Sequence, residues 1–216
     1  MLLADYQNMY TEDDAPGWLA IDSVVEKLYP NQEPVHWAPV LFHMVGGEDP
    51  IDGMNCYEAI VDGEKHFHIV TYGFSNLYYD EDQVGKEFSK FGFELTFRIK
   101  PYHLDENAPN WVFNLIQNIA RYVFKSGKWF EPYQYMQANG PIRLGCDSKI
   151  TGLAFVIDPE LGEIDTPHGS VQFLQMYGIT DNELKELKAG SQNVQSLIEK
   201  AKKGNPLLIT DLERCS

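Results

Sequence analysis

The sequence predicts an α+β fold: a single domain in which strands with mostly antiparallel connections are interrupted by helices. Two observations lead to this class. Segments that alternate apolar and polar residues, as strands do, recur along the chain and are separated by segments with the helical period of 3.6. The chain also has 216 residues, 44% of them hydrophobic and 13% aromatic, which is enough for one well-packed domain.

The first third of the chain predicts a helix followed by three strands. Pro16 suits the first turn of a helix, and apolar residues then recur at helical spacing until Pro30 ends the segment. The pair Asp62-Gly63 lies between two predicted strands and is typical of a β-hairpin. The predicted strands cover residues 35–45, 54–61 and 65–72.

The middle of the chain contains the clearest strand and the clearest helix. From Phe91 to Ile99 apolar residues alternate with polar ones, which predicts an apolar face and a charged or polar opposite face. From Val112 to Val123 the apolar residues have the helical period, and the predicted helix ends near Gly127. The stretches 74–90 and 128–149 are predicted to be loops.

The last third predicts three more strands and two short helices. Thr180 and Glu183 have the spacing of a capping box, which begins a helix. A second helix is predicted at 191–203. The predicted strands cover residues 150–158, 171–179 and 207–210, and the first two are separated by a turn at 159–162.

Acidic residues are concentrated in the first third of the chain. The net charge is −15, which argues against nucleic acid as a direct partner. Residues 1–64 hold thirteen acidic residues and one basic residue, whereas residues 65–216 hold nineteen acidic and sixteen basic residues. This excess is either a well-solvated surface that keeps the protein in solution or a face that steers a basic partner.

The sequence carries no signal for export or membrane insertion. It has no run of about 18 apolar residues, and no basic segment precedes an apolar stretch at the N-terminus. The cysteines, Cys56, Cys146 and Cys215, are odd in number and far apart, which is typical of a reducing compartment. We therefore expect a cytoplasmic protein with no membrane segment.

His66 and His68 are the best candidates for metal ligands. Residues two apart on a strand point to the same side, so both imidazoles can reach one ion. A third ligand would have to come from His36, His43, His103, His168 or Glu94. The alternative is a hydrogen-bonded histidine pair on a half-buried strand. A metal-binding protein or metal-dependent enzyme therefore stays open as an alternative function.

No other set of residues has the pattern of an active site, and the loops instead carry aromatic residues. Ser75 follows a strand but lacks the second glycine of a nucleophile elbow, so we predict a turn or capping serine. Tyrosine and tryptophan in loops either anchor a protein interface or cover the ends of a broad core. These aromatic residues are Tyr72, Tyr78, Tyr79, Trp129, Phe130, Tyr133 and Tyr135.

An ordered set of short segments identifies a family. It includes Gly46-Gly-x-Asp49-Pro, His66-Phe-His68, Tyr72-Gly-Phe-Ser-Asn-Leu-Tyr78, Gly92-Phe-Glu-Leu-Thr-Phe-Arg98 and Leu208-Ile-Thr-Asp211. In these segments and their order the chain resembles the N-terminal domain of the suppressor of fused (SUFU) family. We accordingly expect an acidic N-terminal segment at 1–14 and a suppressor-of-fused-like domain at 15–214.

The resemblance implies a twisted, largely antiparallel or mixed sheet flanked by helices, and a protein-binding function without catalysis or cofactor. Animal members of the family clamp an extended peptide of a transcription factor as an added strand, and they use a second, C-terminal domain to do so. A single-domain form resembles bacterial members, which implies an immunity protein that neutralises a toxin by stoichiometric binding. The expected partner is thus a basic toxin or an extended peptide segment. A general peptide-binding or regulatory module is a further alternative.

The resemblance also implies a set of partner-binding residues. Tyr78 matches a tyrosine of the peptide-binding groove in the animal proteins. The acidic residues that follow it are candidates for the same surface: Asp80, Glu81, Asp82 and Glu87.

Overall fold

The structure, a computed structural model, describes residues 1–103 and 107–215. Its strands are β1 (Val35–Trp37), β2 (Gly53–Val61), β3 (Glu64–Tyr72), β4 (Phe88–Ile99), β5 (Tyr135–Gln137), β6 (Ile150–Ile157), β7 (Glu163–Thr166) and β8 (Gly169–Thr180). Its helices are α1 (Leu3–Met9), α2 (Pro16–Leu28), α3 (Asn110–Ser126), α4 (Asp181–Ala189) and α5 (Val194–Lys202). None of the helices in this described part has the length and hydropathy needed to cross a bilayer.

All eight strands join one mixed sheet. Its order is β1-β2-β3-β4-β8-β6-β5, and β7 pairs with β8 outside that order. The β4–β8 pair is parallel, and the other pairs are antiparallel. The α+β class with a largely antiparallel, mixed sheet flanked by helices is therefore confirmed.

Helices cover both faces of the sheet. On one face α3 packs over the largest apolar cluster. On the other face α2 and the α4–α5 pair cover two separate clusters. Along β8, Phe173 lies in the α2 cluster and Tyr177 in the α4–α5 cluster, and the buried Gln175 lies between them. A band of buried polar side chains thus separates the two clusters.

The strongest local signals in the sequence agree with the structure. Asp62 and Gly63 make the turn between β2 and β3, and both have positive φ. The hydroxyl of Thr180 accepts from the N–H of Glu183, and the N–H of Thr180 donates to the Glu183 carboxylate, so the capping box begins α4. Gly127 ends α3 in the left-handed conformation.

Five expectations about single elements are wrong. The strand predicted at 35–45 stops at Trp37, since Pro39 lacks the N–H that a ladder needs, and an exposed 3₁₀ turn follows at His43–Val45. The segment at 207–210 makes only one isolated bridge, between Ile99 and Thr210. Three elements, α1, β5 and β7, form where no helix or strand is predicted, because each is too short for a periodic pattern.

Candidate protein-binding site

The loop that leads to Tyr78 is built around the buried carboxylate of Glu94. The hydroxyl of Thr71 donates to Oε2 (2.6 Å), and the hydroxyl of Ser75 donates to Oε1 (2.6 Å). Backbone N–H groups of Gly73 (3.0 Å), Phe74 (3.3 Å) and Ser75 (2.9 Å) complete the set. Burial raises the pKa of Glu94, and the hydrogen bonds from Ser75, Thr71 and Gly73 act in the opposite direction. Ser75 is thus a turn serine, as predicted.

A bulge at the start of β4 supports the loop from its other side. Lys90 and Gly92 have positive φ, and the pairing with β8 shifts register between Phe88 and Phe93. The Nζ atom of Lys90 donates to the carbonyl of Gly73 (2.8 Å) and lies 4.5 Å from the ring centre of Phe124. The loop is therefore held between Glu94 and the bulge.

The N-terminus of α2 closes against the same loop. The N–H of Gly17 donates to the carbonyl of Leu77 (2.9 Å). A Cβ atom at Gly17 would lie 1.9 Å from the carbonyl oxygen of Asn76, so this close approach requires glycine.

Tyr78 projects from this supported loop with 40% of its surface exposed. Its hydroxyl interacts with the half-buried carboxylate of Asp52, the residue directly before β2. Burial raises the pKa of Asp52, and burial together with the Asp52 charge raises the pKa of Tyr78 to about 12. The tyrosine is therefore a neutral, oriented aromatic group at the surface.

Helix α1 holds the acidic turn that follows Tyr78. Tyr6 is buried, accepts from the N–H of Asp80 (3.0 Å) and is hydrogen-bonded to Nε2 of His168 (2.8 Å). The amide of Gln7 donates to the Glu81 carboxylate (2.9 Å). The Asp80 carboxylate accepts from the N–H of Asp82 (3.0 Å).

The structure brings three of the four acidic candidates together. Asp80, Glu81 and Asp82 lie in one turn, which follows Tyr78 and Tyr79. Glu87 is exposed further along the chain, where its carbonyl accepts from the N–H of Ser170. Whether these residues contact a partner stays a prediction.

His66 and His68 share a face of β3, but a cation occupies the space beside them. Nη1 of Arg98 lies 3.5 Å from Nε2 of His66. Tyr29 is hydrogen-bonded to Nδ1 of His68 (2.7 Å), and Nε2 lies 3.2 Å from the Asp158 carboxylate. Burial and the Arg98 charge lower the pKa of both histidines to about 4.

This surrounding disfavours a metal ion, because a fixed guanidinium repels a second cation. Within residues 1–103 and 107–215, no three His, Cys, Asp or Glu side chains converge as ligands would. The arrangement instead matches the alternative of a hydrogen-bonded histidine pair, although the strand is fully buried at these positions.

Comparison with known proteins gives consistent matches over most of the chain. The family model described as "Suppressor of fused protein (SUFU)" matches residues 47–215. The suppressor of fused homologs of Homo sapiens and Mus musculus are each 33% identical to the chain over 211 residues, which is 92% of this chain. The match covers 43% of each of those proteins, so the chain spans less than half the length of these relatives.

Solved structures show the same similarity. A crystal structure of the Sufu-Fu complex contains a chain 30% identical to this one, with a TM-score of 0.85 over 94% of this chain and 93% of that one. Drosophila Suppressor of Fused is 30% identical, with a TM-score of 0.84 over 95% of this chain and 52% of that one. A SUFU homolog from Neisseria gonorrhoeae shares the fold, at 14% identity and a TM-score of 0.59 over 93% and 96% of the two chains.

Proposed function

The chain belongs to the suppressor of fused family, and on that premise we propose that it is a non-enzymatic, cytoplasmic protein-binding domain. The observation that carries the proposal is the exposed Tyr78, which interacts with Asp52 and projects from a loop held by five hydrogen bonds to Glu94. An interface anchor loses little conformational entropy on binding when it is oriented beforehand. The Sufu-Fu complex, in which a similar chain binds a protein, supports the same function.

The partner of this surface is basic. Tyr78 is followed, after Tyr79, by Asp80, Glu81 and Asp82, and it lies near Asp52, so an approaching partner meets carboxylates around an aromatic anchor. The thirteen acidic residues of positions 1–64 extend this field. Complementary charge raises the association rate, whereas Tyr78, once buried against the partner, contributes more to the affinity.

More specifically, we propose that the chain is an immunity protein that neutralises a basic toxin by one-to-one binding. The alternative is a general peptide-binding or regulatory module. Affinity capture from the source cells at low and moderate salt, followed by mass spectrometry, supplies the partner. A basic protein that stops growth when expressed alone, and no longer does so when this chain is co-expressed, supports the immunity function. A captured partner that is harmless to cells supports the alternative.

Removing the side chain of Tyr78 is expected to weaken binding of that partner at least about fivefold, the equivalent of about 1 kcal/mol. Isothermal titration calorimetry of Tyr78→Ala measures the loss. Tyr122→Ala is the matched control, because Tyr122 is 48% exposed but lies on α3. Equal dissociation constants for the wild type and a folded Tyr78→Ala variant would remove Tyr78 from the interface.

Reversing exposed acidic residues is expected to slow association about threefold to tenfold at low salt and to flatten its salt dependence. The triple variant Glu12→Lys, Asp13→Lys and Glu48→Lys changes residues that are all exposed. Surface plasmon resonance at several salt concentrations gives the rates. A control variant carries the same change at three exposed acidic residues of the C-terminal half: Asp147, Glu186 and Glu199. If both triple variants associate equally fast, the acidic third does not steer the partner.

A further inference from the structure

The N-terminal segment, residues 1–14, contains a helix that is too short to be stable alone. Helix α1 has seven residues, and within the described residues no side chain caps its N-terminus. An isolated helix of this length is marginal in water. Leu2, Leu3 and Met9 are exposed, and Tyr6 is the buried residue of the helix. The fold of the segment therefore depends on its contacts with the rest of the domain, and Tyr6 makes the buried ones.

The hydroxyl of Tyr6 fits a donor and an acceptor at once. Nδ1 of His168, in the turn between β7 and β8, lies 3.0 Å from the carbonyl oxygen of Asn76. Because a carbonyl only accepts, Nδ1 carries the proton, and Nε2 of an imidazole with one proton is an acceptor. Nε2 accepts from the Tyr6 hydroxyl (2.8 Å), whose oxygen accepts from the N–H of Asp80 (3.0 Å). A phenylalanine could satisfy neither group.

This chain of hydrogen bonds joins the two sides of Tyr78. Asn76 lies two positions before Tyr78, and Asp80 lies two positions after it. Both are bonded to the same pair, since Asn76 contacts His168 and Asp80 contacts Tyr6. The backbone on either side of the exposed tyrosine is thus linked through a side chain of the N-terminal segment.

The segment makes further contacts with the residues directly after Tyr78. The N–H of Tyr79 donates to the carbonyl of Asp14 (3.1 Å), and its ring stacks on that of Tyr6, with 4.9 Å between the ring centres. The side-chain amide of Gln7 donates to the Glu81 carboxylate (2.9 Å). These contacts come from both ends of the segment, so the segment is expected to dock and to leave as one unit.

We propose that the N-terminal segment is a detachable clamp, and that Tyr6 is the positioning residue through which it holds the Tyr78 site in its binding form. When the clamp is released, the links to Asn76 and Asp80 are lost and the acidic turn no longer has a fixed form. The affinity of the site then falls with the fraction of molecules in which the clamp is docked. Cleavage at the exposed residues 11–13, or a protein that binds the exposed apolar residues of α1, would thus switch the site off. The effect on a partner rests on the proposed function, whereas the detachment itself does not.

Amide hydrogen exchange of the full chain, measured by NMR without any partner, tests the detachment. We expect Tyr6→Phe to speed exchange at the N–H groups of both Tyr79 and Asp80 at least about tenfold. The acceptor of Tyr79 is the carbonyl of Asp14, which this substitution does not touch, so faster exchange there reports release of the whole segment. The N–H of Asp158, which donates to Phe173 within the sheet, is expected to keep its rate.

Tyr10→Phe is the matched control, because it removes a hydroxyl from the same segment, and it is expected to leave all three rates unchanged. Faster exchange in Tyr6→Phe at Asp80 alone would mean that only one hydrogen bond was lost, and it would overturn the clamp. Equal acceleration at Asp158 would mean general destabilisation and would overturn it as well.

Calorimetry with the partner protein recovered by affinity capture tests the effect on binding. Tyr6→Phe is expected to weaken binding at least about fivefold, and Tyr10→Phe to stay within about twofold of the wild type. If Tyr6→Phe detaches the segment but binds normally while Tyr78→Ala binds weakly, the clamp does not control the site and the proposed function stands. If Tyr78→Ala also binds normally, the proposed function fails and control of binding by the clamp fails with it; the exchange rates still decide whether the segment detaches.

Discussion

Replacing Asp158 with asparagine is expected to lower the free energy of unfolding by about 3 kcal/mol, because the change leaves the buried charge of Arg98 without its buried counter-ion. Arg98 and Asp158 are both fully buried, with Nη2 and Oδ1 3.4 Å apart. Burial alone would raise the pKa of Asp158, but His68 and Arg98 hold it well below its usual range. Asp158 is therefore an anion wherever the protein is folded near neutral pH.

The Asp158 carboxylate also accepts hydrogen bonds from other groups, and an asparagine side chain cannot accept all of them. Its Oδ2 atom accepts from the hydroxyl of Thr96 (2.8 Å), and its Oδ1 atom accepts from the N–H groups of Glu160 (2.9 Å) and Leu161 (3.0 Å). An asparagine presents N–H groups where one oxygen stood, so at least one buried donor loses its acceptor. Urea unfolding followed by circular dichroism measures the loss.

Glu160→Gln is the matched control for this experiment. The Glu160 carboxylate also contacts Nη2 of Arg98, at 2.8 Å, but its side chain is 33% exposed. Because water solvates part of the Glu160 side chain, its ion pair with Arg98 contributes little to stability. We therefore expect Glu160→Gln to lower the free energy of unfolding by less than about 1 kcal/mol. If Asp158→Asn and Glu160→Gln unfold at the same urea concentration, the buried pair does not carry the stability assigned to it.

His66 and His68 lie in the same band of buried polar side chains, and they make the free energy of unfolding depend on pH. Their pKa is about 4 in the folded chain and near 6.5 when unfolded, so the unfolded state binds more protons between these values. Their contribution to stability is therefore complete above pH 6.5 and is lost towards pH 4, by about 3 kcal/mol for each histidine. Asp22, Asp52 and Glu94, whose pKa is raised, act in the opposite sense. The measurement is thus the difference between wild type and His68→Gln, which should shrink on acidification.

Local patterns predict the framework of this fold because their physical causes are local. The Asp62-Gly63 turn, the capping box at Thr180 and the apolar stripe of α3 each depend on neighbouring residues. Strand β5, by contrast, has three residues, and its position depends on pairing with β6. Pairing of that kind leaves no period in the sequence.

The buried polar band is also outside the reach of local patterns. Alternation along β4 correctly predicts a polar face, yet that face is buried, with Glu94, Thr96 and Arg98 all inaccessible to solvent. Arg98 and Asp158 are sixty positions apart, so only the pairing of both β4 and β6 with β8 brings them together. A charged residue in a strand whose other face is fully apolar is the one signal that such a partner exists.

The candidate site divides in the same way. Family resemblance alone selects Tyr78, and the interaction that orients it, with Asp52, joins residues from separate loops. Ser75 can be predicted as a turn serine, but the carboxylate that it serves lies nineteen positions further along, on β4. The hydrogen bonds that hold the loop are thus made to Glu94, a residue distant in the sequence. Replacing Glu94 therefore tests the site most directly.

Replacing Glu94 with glutamine is expected to destabilise the protein by about 3 kcal/mol and to weaken binding at Tyr78 at least tenfold. A glutamine amide offers one acceptor oxygen and places N–H groups against donors that now have no acceptor. The loop from Gly73 to Tyr78 then loses its fixed form, although the side chain of Tyr78 itself is unchanged. Thr71→Val removes one of the five donors and also the hydroxyl that accepts from the N–H of Leu95 (2.8 Å), so it is the milder comparison, with an expected loss of about 2 kcal/mol.

A double-mutant cycle separates positioning from general destabilisation. If Glu94 acts on the partner through Tyr78, then Glu94→Gln weakens binding in the wild type but has little further effect in the Tyr78→Ala background. A merely structural role would weaken binding equally in both backgrounds. Calorimetry at a temperature where all four proteins are folded gives the coupling. Additive losses would contradict the role of Glu94 as the residue that positions Tyr78, because the two side chains would then contribute to binding independently.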